Sequence, residues 1–216
     1  MRSMLVIGAG RFGTNLAIKL TELYNEVMLV DVDEEAVHKL EPLVTRVQIG
    51  DCMDRDVLEE LGVRDFDVCF VCISDNFQSS MEITSLLKEL GASYVVAKSD
   101  RDVHANLLKK IGADDVVYPE HDMAQRTAVR YSAKGAFDYI ELSPEYAIME
   151  IALPDDWKGQ SARGLDVRTK HNINIIGVRA GKHILPLISA DYVFSEQEHI
   201  IVAGEQKDIL KMINKK

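Results

Sequence analysis

The sequence predicts an α/β protein: a Rossmann-like, doubly wound parallel sheet followed by a small α+β C-terminal domain. Three observations carry this expectation. Short apolar runs alternate with helical periodicity over the first two thirds of the chain. The first of those runs ends in Gly8, Gly10 and Gly13, the G-x-G-x-x-G spacing, at the opening of a helix. Beyond residue 143 the texture changes to short strands separated by the turn signals Pro154-Asp155 and Ala180-Gly181.

Taken in order, Met4-Leu5-Val6-Ile7 reads as the first strand, and Phe12, Leu16, Ala17 and Leu20 share one face of the helix that follows the glycines. The second strand, Val27-Met28-Leu29-Val30, ends on Asp31, where such a fold sets an acid against ribose hydroxyls. Helices over 34–41, 55–61, 78–90 and 103–111 then alternate with strands over 44–49, 67–73, 94–97 and 116–118, with Gly91 and Gly112 as helix stops. A helix over 120–133 leaves this domain, Gly135 interrupts it, and Ser143-Pro144 marks a boundary. The expected division is a nucleotide-binding domain over 1–119, a connecting helix and linker over 120–142, and a small α+β domain over 143–216. In the last part strands are expected over 146–153, 173–179, 184–187 and 200–203, with helices over 162–167 and 206–213.

The 216 residues suffice for a core without staples; 47% are apolar and 28% charged, as in an ordinary soluble globular protein. A formal charge of -10 argues against nucleic acid, whose binding needs basic patches. No apolar segment approaches the ~20 residues of a membrane span, and no leader pattern precedes the first strand, so a cytoplasmic location is expected. Cys69-Phe70-Val71-Cys72 spells C-x-x-C inside a strand, where residues three apart face opposite sides, so the two thiols are read as core rather than as a redox or metal pair.

Ligands of such sheets bind outside the carboxyl ends of the strands, which collects Asp31, Asp51, Ser74, Lys98 and Glu120 on one rim. Free N–H groups and the positive end of the helix dipole at Gly10, Arg11, Phe12 and Gly13 suit a phosphate. Arg11 is either a guanidinium clamp on phosphate oxygens or a solvated helix-end arginine, and Lys98 either contacts phosphate or lies along the surface. The charge of Asp31 counts against a 2′-phosphate, hence against NADP. Asp33 suits the N-cap of the next helix, with Glu34 and Glu35 favoured by its dipole. Glu120 serves either as a cap or as a carboxylate for a divalent cation beside the phosphates. Cys52, next to Asp51 at the sheet edge, is placed to touch a ligand. His171, His183 and His199 stand at no diagnostic spacing from a carboxylate, so no catalytic set is expected.

The chain resembles the RCK or KTN regulators of Ktr- and Trk-type bacterial potassium uptake systems. The resemblance rests on Val6-Ile7-Gly8-Ala9-Gly10-Arg11-Phe12-Gly13, Val30-Asp31-Val32-Asp33-Glu34, Gly50-Asp51-Cys52, Lys110-Ile111-Gly112-Ala113-Asp114 and Pro119-Glu120-His121-Asp122-Met123. It extends through Asp166-Val167-Arg168 and Ile173-Asn174-Ile175. It implies a regulator rather than an enzyme, binding ATP or ADP, or in some branches NAD or NADH. Carried over by position, Gly8, Gly10 and Gly13 hold phosphates, Asp31 the ribose, and Asp51, Cys52, Ile73 and Ser74 lie by the adenosine, with Val32 and Asp33 in the same motif. Arg11 reads the terminal phosphate near a dimer interface, Lys98 contacts phosphate and Glu120 holds a cation. The resemblance further implies dimers formed through the helix after the sixth strand, assembled into a ring, commonly an octamer, on a membrane potassium transporter. A second effector, cyclic di-AMP, is implied for the C-terminal domain, and Arg168, Ile175 and Pro186 are its candidate contacts. The rival readings are an NAD-dependent oxidoreductase using Lys98 or His121, and a nucleotide sensor for another transporter.

Overall fold

The structure is a computed structural model that describes residues 1–73, 75–132 and 135–213. It contains two compact units, 1–121 and 122–216.

In the first unit, β1 (Ser3–Ile7), β2 (Glu26–Asp31), β3 (Arg46–Ile49), β4 (Val68–Val71), β5 (Val95–Lys98) and β6 (Asp115–Val117) form one sheet of order β3-β2-β1-β4-β5-β6. All its pairings are parallel. The crossovers are α1 (Arg11–Glu22), α2 (Glu34–Leu40), α3 (Arg55–Leu61), α4 (Phe77–Glu89) and α5 (Asp102–Lys110). The strands read as near-continuous apolar runs because both faces are covered. Leu5, Ile7, Val30, Cys69 and Val71 enter one core, and Met4, Val6, Val27, Leu29 and Val68 the other. Cys69 and Cys72 fall in opposite cores as free thiols, as the strand reading of C-x-x-C requires. Helix starts follow their caps: Asp33, Asp54 and Asn76 accept from N–H groups of the first turns of α2, α3 and α4.

The order 3-2-1-4-5-6 reverses direction between β1 and β4, leaving a crevice at the carboxyl ends of the strands. Of the residues assigned to a ligand in the first unit, those that the structure describes lie at that end.

The second unit is an antiparallel sheet of order β10-β9-β11-β8-β7. Its strands are β7 (Ala136–Glu141), β8 (Tyr146–Ala152), β9 (Ile173–Ala180), β10 (His183–Leu185) and β11 (Glu198–Glu205). Phe194, Met149, Ile151, Ile200, Val202 and Trp157 form its core with Ile209 and Met212 of α9 (Gln206–Ile213).

Three local expectations are corrected here. The segment 120–142 is not only helix and linker: α6 (Pro119–Ser132) is followed by β7, which pairs with β8. A register shift between Ala136 and Asp138 buries Ala136 and Tyr139, three apart, so the strand lacks the period of two that would have revealed it. The helix over 162–167 is two short helices, α7 (Ala162–Leu165) and α8 (Val167–His171), separated by Asp166 at φ 46°. Finally, β10 stops at Leu185, ahead of Pro186, which has no N–H to continue a ladder.

Candidate nucleotide-binding site

The glycine turn is built for close approach. Gly8 has φ 105°, a region L side chains avoid, and a Cβ there would lie 3.2 Å from the Cys72 carbonyl carbon. A Cβ on Gly13 would sit 1.9 Å from the carbonyl oxygen of Gly8, so helix and strand pack only with glycine. At Gly10, in contrast, an added Cβ meets nothing within 4 Å. Gly10 is the N-cap of α1, no side chain caps that helix, and its first turn contains no acid. These are the features of an anion seat: free helix N–H groups with open space in front of them.

Asp31 ties the turn to β2. Its Oδ2 accepts from the Ala9 N–H at 2.5 Å and its Oδ1 from the Asp33 N–H at 2.9 Å. The carboxylate is thus oriented before any ligand arrives, with lone pairs left for hydroxyl donors. Beside it lies a cavity of about 290 Å³ lined by Gly8, Asp31, Val32, Asp51, Cys52 and Ile73. The cavity also reaches Met53, Ser79 and Ile83, which the sequence reading did not assign. Met53 follows the Asp51-Cys52 pair directly, and Ser79 and Ile83 are one helical turn apart on the buried face of α4, so both signals were present. Asp51 Oδ1 accepts from the Met53 N–H at 2.9 Å, which sets the turn at the end of β3. Cys52 is buried, and burial together with the charges of Asp51 and Asp31 pushes its thiol up to about 12. It is a neutral part of the wall and no nucleophile.

Asp33 does what its spacing predicts for a cap, accepting from Glu35 and Ala36 N–H groups. Ser74 lies outside the described residues. Arg11 is exposed at the first position of α1 and makes no ion pair among the described residues. Phe12 packs partly into the core, with Lys98 Nζ 5.8 Å from its ring centre.

Lys98 ends β5 with only 8% of its side chain exposed, and its Nζ donates to Glu120 Oε1 at 2.7 Å. That hydrogen bond lowers the pKa of Glu120. The pair places one cation and one anion beside the glycine turn, at the start of α6. The divalent-cation expectation for Glu120 does not fit this chain alone: the carboxylate is engaged by Lys98, and no group of three metal-ligating side chains exists among the described residues. The glycine cradle, open helix end and adjoining cavity do fit a nucleotide.

In the second unit Arg168 is exposed on α8, Ile175 is partly buried on β9, and Pro186 is exposed just after β10. His199 gains a partner invisible in sequence spacing: its Nδ1 lies 2.9 Å from Oε1 of Glu150, 49 residues away. No helix among the described residues is long and apolar enough to cross a membrane.

Comparison with known proteins agrees with this geometry. The TrkA-N domain model matches residues 4–119 and the TrkA-C domain model residues 147–216. Ktr system potassium uptake protein C of Bacillus subtilis is 38% identical over 96% of this chain and 94% of its own length. Ktr system potassium uptake protein A of the same organism is 32% identical over 99% and 96%. Among solved structures, the GsuK channel superposes over all of this chain with a TM-score of 0.72 at 21% identity. This chain spans 40% of that channel chain. The same fold match holds for the GsuK channel bound to NAD (TM-score 0.70, 20% identity), and over 60% of this chain for GsuK bound to ADP (TM-score 0.54, 22% identity). With both domain models matched in chain order and two relatives aligned nearly end to end, the chain belongs to the TrkA-N/TrkA-C family of Ktr and Trk system potassium uptake proteins.

Proposed function

We propose that this protein is a cytosolic regulatory subunit that binds an adenine nucleotide in its first unit and thereby gates a membrane potassium transporter. The observation that carries the reading is the open helix end at Gly10, set beside a carboxylate already oriented by Ala9 N–H and above a ready cavity. When bound, the nucleotide supplies a phosphate chain and an adenosine. Gly8, Gly10 and Gly13 hold the phosphates, Asp31 holds the ribose, and the wall from Val32 to Ile73 encloses the base. The ligand is ATP or ADP, since Arg11 stands exposed at the phosphate end as a ready partner for a third phosphate. The NAD-bound and ADP-bound GsuK structures share this fold.

Gating follows from differential affinity alone: a ligand shifts an equilibrium only by the difference in its free energy of binding to the two states. A charged hydrogen bond from Arg11 made in one state only is worth about 1.5–3 kcal/mol, a shift of roughly ten- to a hundredfold. The protein is proposed to act as a homodimer that assembles into a ring, commonly an octamer. In keeping with this, none of the fourteen residues of α6 is buried within one chain, and Met123 and Tyr131 are 59% and 77% exposed. The ion pair of Lys98 with Glu120 sits at the start of that helix, so a phosphate competing for Lys98 acts on the element that carries the assembly. Glu120, once released, is proposed to meet a divalent cation only with ligands from the nucleotide or a second copy. Cyclic di-AMP is proposed as a second effector at Arg168, Ile175 and Pro186. No catalytic role is proposed, because the thiol in the cavity wall is held neutral and His199 is paired in the second unit.

The test is calorimetric titration of the purified chain with ATP, ADP, NAD and NADH, repeated on Arg11→Ala. The reading expects ATP and ADP to bind, and Arg11→Ala to weaken ATP far more than ADP. Binding of NAD or NADH alone, unchanged in Arg11→Ala, would instead favour redox sensing or dehydrogenase chemistry.

A further inference from the structure

The cavity beside Asp31 has few side chains that can hydrogen-bond, and they are unequal. Among its described lining residues, Asp31, Asp51, Cys52 and Ser79 carry polar side chains, while the others offer alkyl groups, a thioether or glycine backbone. The two carboxylates accept and cannot donate. The Cys52 thiol, held neutral by burial and by the neighbouring carboxylates, is a weak donor. Among the described lining side chains, the strong donor is the Ser79 hydroxyl.

Ser79 is only 7% exposed, and its backbone is fixed by the cap that starts α4, where its N–H donates to Asn76 Oδ1 at 3.2 Å. Its hydroxyl makes no hydrogen bond among the described residues. The cause is its place in the helix. A serine or threonine inside a helix commonly turns its hydroxyl back to the carbonyl four residues earlier, as Thr84 does to Ser80 at 2.7 Å. Ser79 is the third residue of α4, so the residue four earlier, Asp75, lies ahead of the cap and its carbonyl is outside the helix. Ser79 and Ile83, four apart, share the face of α4 that meets the cavity, which turns the hydroxyl toward the cavity and away from solvent. A buried donor without an acceptor is costly, and a ligand that supplies the acceptor removes that cost. Ser80, next in sequence, is a built-in control: its Oγ is also buried without a partner, but it is not among the residues that line the cavity.

We propose that the Ser79 hydroxyl reads the base of the bound nucleotide by donating to a ring nitrogen of the adenine. Ring nitrogens such as N3 and N7 are acceptors that carry no proton, and so match a single hydroxyl donor. The assignment rests on an adenine nucleotide occupying this cavity, and gives α4 a direct part in recognising it. It also holds whichever phosphate chain follows, because ATP, ADP and NAD share the adenosine.

The experiment is calorimetric titration of wild type, Ser79→Ala and Ser80→Ala with ATP, ADP and NAD, together with thermal unfolding of each protein without nucleotide. Ser79→Ala removes an unpaired hydroxyl from a buried position, so its melting temperature should not fall below that of wild type. Every nucleotide that binds wild type should bind Ser79→Ala about three- to tenfold more weakly, and Ser80→Ala within about twofold of wild type. Equal affinity in wild type and Ser79→Ala overturns the assignment and leaves the nucleotide site standing. An equal loss in Ser80→Ala, or a loss in Ser79→Ala accompanied by a lower melting temperature, also overturns it, since either marks a structural effect of α4. If none of the three nucleotides binds wild type, the function proposed above fails and the base contact fails with it.

Discussion

The two sheets of this chain solve the same problem, burying an apolar face, in ways that leave different surfaces behind. The parallel sheet of the first unit is covered on both sides, so its strands are apolar throughout and its polar groups gather at one end by topology. The antiparallel sheet buries one core around Phe194 and Ile200, while Glu150, Arg179 and His199 form an ionic cluster that α6 overhangs. In the first unit, chain direction opens a crevice at the β1/β4 reversal; in the second, cross-strand register brings distant charges together. Position at a strand end predicts a site in the one sheet and says little in the other.

The sharpest break of this comparison is Phe194→Ala. Phe194 is fully buried in the second core, and the truncation should cost about 3–5 kcal/mol there while nucleotide affinity in the first unit stays within about twofold. Thermal unfolding followed alongside calorimetry reads both; a parallel collapse of nucleotide binding would show that the units do not act separately. Next comes Gly13→Ala. Its Cβ meets a backbone oxygen that cannot turn aside, so the cost should reach the upper end of overpacking, about 3 kcal/mol, and nucleotide binding should be lost.

These two variants also mark how much was legible in the sequence. The cradle could be read because Gly8, Gly10, Gly13 and Asp31 are constrained by backbone geometry and chain direction, both local properties. Its apolar wall was half-read: Val32, Cys52 and Ile73 were named, while Met53, Ser79 and Ile83 were passed over. Strand β7 went unseen because its bulge breaks the alternation, and the α7–α8 break went unseen because Asp166 enters a left-handed conformation without glycine. The Lys98–Glu120 and Glu150–His199 pairs span 22 and 49 residues, and only the fold brings such partners together.

Smaller effects sharpen the contrast at the rim. Asp31→Asn keeps the size of the side chain but replaces an acceptor oxygen with a donor group, facing either the Ala9 or the Asp33 N–H, and should cost about 1–3 kcal/mol of stability, read as a lowered melting temperature, and weaken nucleotide binding as the turn loses its tie to β2. The pH dependence should be smaller still. Because the Lys98 hydrogen bond lowers the pKa of Glu120, the pair stabilises the start of α6 fully above the ordinary value of 4.5, and that contribution is lost as pH falls through the lowered folded value. An NMR titration should find Glu120 titrating below 4.5 in wild type and moving up toward it in Lys98→Met. An unchanged titration in that variant would mean the pair does not form in solution.

The account rests on nucleotide identity at the cradle being converted into a change of assembly, and small-angle scattering of the purified protein with saturating ATP or ADP tests that conversion. The expected result is two distinct scattering profiles in wild type, merging into one in Arg11→Ala while both nucleotides still bind. Identical wild-type profiles with both nucleotides bound would contradict the account.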